Sequence, residues 1–434
     1  MKKRFENIVI DKSKADFDEK MQRLRNEHSM SDYIRTHDEI ISRVRNVVKD
    51  IANRGDAALA EYTEKFDGVK LSAQEFRVNQ EDMAKAHASL DPELLNSIRK
   101  AIENVKKYQS NIFIGDKNTN PGIRYNALKR VCLCIPGASA PLPSSVIMTA
   151  VPALVAGVKE IVAVSAPRYE GNIHPTILGT CYELGIREVY RISGAQAVAA
   201  MAWGTETIPK VDKIVGPGGD YVQLAIREVF GLIDTVSFAG PSDVLIVADK
   251  NANPAWVAAD MLSQAEHNPG AGILVTACKE LAARVLDELD VQVDKLDRAE
   301  GTAECLAKYS AVVLLDSDEE VIDFANDFAA EHLQVQCGSN SRKIAEKIEN
   351  AGAIFIGDYT PVAVGDYWAG PSHTLPTRQT TKYFSAVTSN DFIKSSSIIE
   401  YDEKALKQNC DDIVRLAKTE GLDAHARSVD IRCE

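Results

Sequence analysis

Two Ala-Glu-His triplets occur in a chain with eight histidines. One lies in LSQAEHNPG, which holds Glu266 and His267; the other lies in FAAEHLQVQ, which holds Glu331 and His332. Their surroundings ask for different chemistry. PAWVAADMLSQAEHNPG reads as a helix opened by Pro254 and halted by Asn268-Pro269-Gly270. Gln264 and His267, three apart, then share one face of its last turn. An amide oxygen with an imidazole nitrogen suits Zn2+ or Mn2+. The plainer reading is a helix-end histidine interacting with the carboxyl-terminal dipole. In the second stretch, VIDFANDFAAEHLQVQ, a helix runs straight into LQVQ, an alternation that reads as a strand. Glu331 and His332 are adjacent and point apart, so they suit two points on one substrate better than one ion. An imidazole whose ordinary pKa is near ~6.5 suits removal of an alcohol proton, and the carboxylate suits holding or activating a water. The plainer reading is a histidine packed at a helix–strand junction.

Two more stretches carry polar residues where a bland loop would not need them. TPVAVGDYWAGPSHTLPT sets Asp366 and His373 among turn-forming glycines and prolines, and AKTEGLDAHARSVD sets Glu420 and His425 around Gly421. Zinc sites draw histidines and carboxylates from separated segments, so Gln264, His267, Asp366 and His425 form a sensible donor set. Two glycine loops, in ISGAQAVAAMAWG and IVGPGGDYVQLAIREVFG, place glycine between strand and helix, where backbone N–H groups can receive a phosphate. Neither has the G-x-G-x-x-G spacing of a dinucleotide fingerprint.

The elements that must hold these residues are short β-branched runs at 131–135, 161–165, 189–193, 212–216, 243–248, 272–276, 311–315 and 353–357, with helical patterns between most of them. Such alternation predicts an α/β fold with mostly parallel sheets. Eight strands fit two Rossmann-like lobes better than one barrel, because the first ~110 residues are nearly all helical in pattern and break the repeat. The expected layout is an N-terminal arm over 1–30, a first α/β lobe over 31–130 and 241–382 with the metal and catalytic residues, a second lobe over 131–240 on the cofactor side, and a helical tail from 383 to 434. At 434 residues, with 45% hydrophobic and 26% charged residues, the composition is that of an ordinary globular protein. A net charge of −13 argues against nucleic acid or an anionic membrane as partner. The basic start has too short an apolar run for a secretion signal, and VIMTAVPALVAGV, interrupted by Pro152, is far from a membrane span. A cytoplasmic location follows, with the eight cysteines expected as reduced, partly buried thiols rather than zinc-ribbon or redox pairs.

Taken in order, PSSVIMTAVPALVAGVKEIV, GAQAVAAMAWGTETIPKVDKIVGPG, AGPSDVLIVAD, WVAADMLSQAEH, EHLQVQ, AGAIFIGDYTPVAVGDYWAGPSHTLPT and EGLDAHARSV resemble the histidinol dehydrogenase family over essentially the whole chain. The resemblance implies four-electron oxidation of L-histidinol to L-histidine through bound histidinal, with two NAD+ and one Zn2+ per subunit. It matches Gln264, His267, Asp366 and His425 to zinc ligands, and Glu331 and His332 to the catalytic pair. Ser242, His373 and Glu420 match substrate-binding positions, beside the ligands and His332. It also implies a homodimer whose tail completes the partner's site. Of three usual NAD-contacting side chains only Gln196 is kept: Cys134 stands where the family usually has Tyr, and Gly219 where it usually has Asn. Asp243 and Ser372 depart less, from Glu and Asn. Two other readings remain: a paralogue oxidising another alcohol, with the altered cofactor loops as its signature, and a non-catalytic two-lobed binding protein. The retained Glu331-His332 pair and ligand set weigh against the latter.

Overall fold

The computed structural model describes residues 4–137, 140–267 and 269–434. Ala138 and Ser139 of the expected loop after the first run, and Asn268 of the expected helix stop, lie outside them. The chain parts into two compact units, residues 1–113 with 128–392, and residues 114–127 with 393–434.

The first unit holds two parallel sheets, and all eight expected strands form, with small differences at their ends. One sheet is built from β1 (Val9–Asp11), β8 (Ser242–Ala248), β9 (Gly270–Thr276), β10 (Ala311–Leu314), β11 (His332–Gln336) and β12 (Ala353–Ile356), in the order β1-β10-β9-β8-β11-β12. The other is built from β3 (Arg130–Ile135), β4 (Glu160–Ser165), β5 (Glu188–Tyr190), β6 (Lys213–Val215) and β7 (Asp234–Thr235), in the order β5-β4-β3-β6-β7. The five-stranded sheet is entered at its central β3, winds outward through β4 and β5, then returns through β6 and β7. In the six-stranded sheet β1 lies at one edge, and from β8 the chain winds out through β9 and β10 toward it before returning through β11 and β12. That is doubly wound topology, and the reversal opens a crevice, between β8 and β11 in one sheet and β3 and β6 in the other. The runs read as nearly continuous apolar segments because both faces of these sheets are covered. Leu333 and Val335 pack on one face with Leu245, Val247, Ile273 and Val275. Val244, Ile246 and Leu274 pack on the other, against Val257, Met261 and Leu262 of the helix Pro254–Ala265. Alternation puts His332, Gln334 and Gln336 on that second face, so a polar column stands where its neighbours are apolar.

The helices of the first ~110 residues appear as expected, the longest over Asp38–Asp67. Its Val44, Ile51 and Leu59 share a buried cluster with Cys132, Val162 and Ala197 of the five-stranded sheet and its helices.

The second unit contains β2 (Gly122–Ala127) paired antiparallel with β13 (Ile393–Ile398), then the helices Glu403–Thr419 and Asp423–Asp430. The tail is helical as expected, but IKSSSI gave no sign of its strand, because it is apolar only at its ends. One expectation is corrected here: Cys410 and Cys433 form a disulfide, with Cα atoms 6.6 Å apart. The two tail helices double back on each other and bring together cysteines 23 residues apart. Cys132, Cys134, Cys181, Cys278 and Cys337 stay as thiols. Among the described residues no helix is long and apolar enough to cross a membrane.

Candidate active site and cofactor crevice

The chemistry-bearing residues of the first unit gather at the amino ends of the six-stranded sheet. Ser242 and Asp243 begin β8, Glu331 precedes β11, and His332 is its first residue. Gln264 lies in the last turn of the helix Pro254–Ala265, and His267 follows before β9 starts. Asp366 sits on the short helix Val362–Tyr367, which returns after β12, and His373 is in the loop beyond. Open α/β sheets usually take ligands at their carboxyl ends, so this placement is unusual. Packing between helix and strand is tight: a Cβ on Gly270 would lie 2.0 Å from the Gln264 carbonyl oxygen. Glycine there lets β9 begin directly beneath the helix's last turn.

The acid–base pair is held by Asp243. The Glu331 N–H donates to Asp243 Oδ1 at 2.8 Å, and the Asp243 N–H donates to Glu331 Oε2 at 3.0 Å. His332 Nδ1 lies 2.9 Å from the Asp243 carbonyl oxygen. A carbonyl only accepts, so Nδ1 carries the proton and, in the neutral ring, Nε2 keeps its lone pair. Nε2 is buried without a hydrogen-bond partner and faces Asp366 Oδ1 at 3.7 Å. Burial works against charge on His332, but the carboxylates of Glu331 and Asp366 outweigh it and raise its pKa. Burial pushes Glu331 and Asp243 upward, with His332 opposing in both. Asp366 is held below the usual carboxylate range: burial opposes this, while His332, His373 and His267 outweigh it. His267 keeps an exposed face, yet its crowded surroundings lower its pKa against the pull of Asp366.

One atom tests whether these residues fit a metal. Gln264 is 2% exposed, and its Oε1 has no hydrogen-bond partner. A buried amide oxygen left bare costs about 1–3 kcal/mol, and a cation would satisfy it. Amide oxygen, imidazole and carboxylate together form a borderline donor set that fits zinc. Among the described residues no three His, Cys, Asp or Glu side chains form a metal-holding group by themselves. The further donor is the Gln264 amide oxygen. His425 and Glu420 belong to the second unit, where both are exposed.

The five-stranded sheet behaves conventionally. A cavity of about 910 Å³ opens at its carboxyl ends, lined by Cys134, Gly137, Gln196, Gly218, Gly219 and Asp67. The helices Gly194–Trp203 and Asp220–Glu228 both start there, which suits a phosphate-bearing ligand. Cys134 is near the end of β3, and Gln196 is in the first turn of the helix Gly194–Trp203. Asp67, which sequence reasoning did not single out, accepts from Ser193 Oγ at 2.8 and 3.0 Å and from Gln196 Nε2 at 3.3 Å, orienting that amide. Its only sequence signal was the Asp-Gly that ends a helix. Asp243 had a signal only as a departure from the family pattern.

A doubly wound sheet with a crevice at its switch point, joined in one unit to a second such sheet bearing a carboxylate–imidazole pair, is the outline of an α/β dehydrogenase. The histidinol dehydrogenase family model matches residues 32–433. The chain is 45% identical over 397 residues to a histidinol dehydrogenase of Rhodopirellula baltica, covering 90% of this chain and 86% of that one. It is 44% identical over 398 residues to one of Geobacillus kaustophilus, covering 90% and 93%. The crystal structure of histidinol dehydrogenase from Elizabethkingia anophelis superposes with a TM-score of 0.84 at 36% identity, covering 90% of this chain and 91% of that one. The chain belongs to the histidinol dehydrogenase family and is an oxidoreductase.

Proposed function

We propose that this chain oxidises L-histidinol to L-histidine through bound histidinal, using NAD+ twice and one zinc ion per subunit. The observation that carries the reading is the bare, buried Gln264 Oε1 in the same cluster as an imidazole whose Nε2 is free to act as base. Gln264, His267 and Asp366 would hold the metal, which when bound would polarise the substrate hydroxyl and, by its charge, lower the pKa of the imidazole beside it. NAD+ in the crevice of the five-stranded sheet would accept hydride in both oxidations. His332 Nε2 takes the hydroxyl proton, its ring held by the Nδ1–H bond to Asp243, and Asp366 favours the imidazolium that forms. In the second stage a water oxygen bonds to the aldehyde carbon while Glu331 passes the water's proton to the carbonyl oxygen. His332, its first proton released to solvent, then takes a hydroxyl proton of that hydrate as hydride departs, which a second NAD+ would accept. Ser242 and His373, flanking these residues, would hold the substrate. His425 and Glu420 would come from a second copy in a homodimer. What supports this is the exposure of apolar side chains in the second unit, Ile399 at 70%, Leu416 at 67% and Ile431 at 53%.

The test is to count NADH formed per L-histidinol by the zinc-loaded protein. About two supports the reading, about one marks a simple alcohol dehydrogenase, and none points to oxidation of another alcohol.

The crevice yields a second expected result. Gly219 has φ −64° and open space where a Cβ would sit, so nothing in the backbone requires glycine. Cys134→Tyr with Gly219→Asn should restore stacking surface and an amide, together worth about 1–2 kcal/mol. The KM for NAD+ should then fall roughly tenfold, read from initial rates at saturating L-histidinol. An unchanged KM would show that neither position bears on the cofactor.

A further inference from the structure

Asp243 occupies a position that neither the acid–base pair nor the proposed metal accounts for. It is 2% exposed, and no Lys or Arg forms a salt bridge with its carboxylate among the described residues. Its hydrogen bonds go instead to Glu331, just before β11, and to His332, the first residue of that strand. Its side chain accepts the Glu331 N–H, and its own N–H is accepted by the Glu331 carboxylate. These two bonds close a ring between chain segments 88 residues apart, one register step before the ladder pair His332–Val244. The ring fixes both the backbone of Glu331 and the direction of its carboxylate. The bond to His332 is different in kind, because it uses the Asp243 backbone carbonyl and survives any change of side chain.

We propose that the Asp243 carboxylate is a positioning residue that sets Glu331 for the second of the two oxidations and leaves the first largely untouched. The inference rests on the division of labour proposed above, His332 serving both stages and Glu331 serving hydration of the aldehyde. A buried carboxylate beside another carboxylate is disfavoured on electrostatic grounds, so its presence calls for a structural reason, and the ring supplies one. Misplacement of a reacting group by about 1 Å can cost on the order of 10²-fold, while the hydrogen bond that orients His332 is made to main chain, with the Glu331 carboxylate farther off at 3.6 Å from Nδ1.

Two substitutions separate side-chain hydrogen bonding from charge. Asp243→Leu fills the same space without an acceptor. Asp243→Asn keeps an oxygen for the Glu331 N–H and removes the charge. The readouts are NADH per L-histidinol, aldehyde trapped as its semicarbazone, and NADH formation from L-histidinal supplied directly. For Asp243→Leu, NADH per L-histidinol should fall from about two toward about one, with the missing equivalent appearing as trapped aldehyde; oxidation of L-histidinal should drop at least about tenfold more than the first oxidation. Asp243→Asn should keep the ratio of the two stages within about threefold of the parent. Equal slowing of both stages in Asp243→Leu would overturn the proposal, and so would an Asn variant as selective in its defect as Leu. If the Leu variant does not fold, the Asn variant decides by itself: a ratio shifted beyond that range overturns the proposal, and one within it supports it. A parent protein that does not yield two NADH refutes the proposed function, a failure visible before any variant is made.

Discussion

His332→Ala should lower turnover of L-histidinol by roughly 10²–10⁴-fold, the range spanned by loss of a positioned general base, while the protein still takes up its metal. The two halves of this expectation have separate causes. Nε2 is the ring nitrogen without a hydrogen-bond partner, whereas Nδ1 is committed to the Asp243 carbonyl. Deleting the ring removes the proton acceptor and leaves that carbonyl and Glu331 short of a neighbour, at a cost of about 1–3 kcal/mol. A protein of ordinary stability, about 5–15 kcal/mol, tolerates that. Gln264, His267 and Asp366 do not depend on the ring for their backbone placement, since they come from the helix before β9, the turn after it, and the helix after β12. Turnover measured with L-histidinol beside metal content by elemental analysis tests both halves. Loss of metal together with activity would make His332 a ligand rather than the base.

His267→Ala should abolish metal uptake, from about one ion per chain to less than about a tenth, and activity with it. The residue stands just past the helix end, its N–H bonded to the Gln264 carbonyl at 3.2 Å, so a substitution there leaves the backbone turn intact. Thermal unfolding of the metal-free variant should therefore match the metal-free parent, while the stabilisation that added zinc confers on the parent should be absent. Glu266→Ala is the control, because Glu266 is exposed and caps the helix by its backbone alone. A His267→Ala protein that keeps its zinc would remove His267 from the donor set.

The two triplets show how far local pattern reaches. A helix stopping near residue 265 and a strand over LQVQ were both legible, since apolar spacing and breakers are local signals, though the helix before that strand ends at Phe328 and the strand begins one residue earlier, at His332. So was the contrast between a pair one turn apart and a pair of neighbours. The short strands β1 and β7, and the β2–β13 pair, were not legible. Each is brief or polar, and each is stabilised by a ladder to a partner far away in sequence. The Cys410–Cys433 bridge escaped for the same reason: it depends on two helices folding back, and nothing in the spacing of the cysteines demanded it.

Residue order alone therefore determined the fold class, most of the strands, the family, and which side chains have chemistry to offer. Only the tertiary structure decided how they are used. It placed Gln264, His267, Glu331, His332 and Asp366 together at the amino ends of one sheet, and the glycine loops at the carboxyl ends of the other. It put a proton on Nδ1 of His332, bared the oxygen of Gln264, and tied Glu331 to Asp243. The physical reason is that tautomer, desolvation and hydrogen-bond partners depend on what lies within a few ångströms in space. Strand register joined Asp243 to Glu331 across 88 positions of sequence, a distance over which no local periodicity carries information.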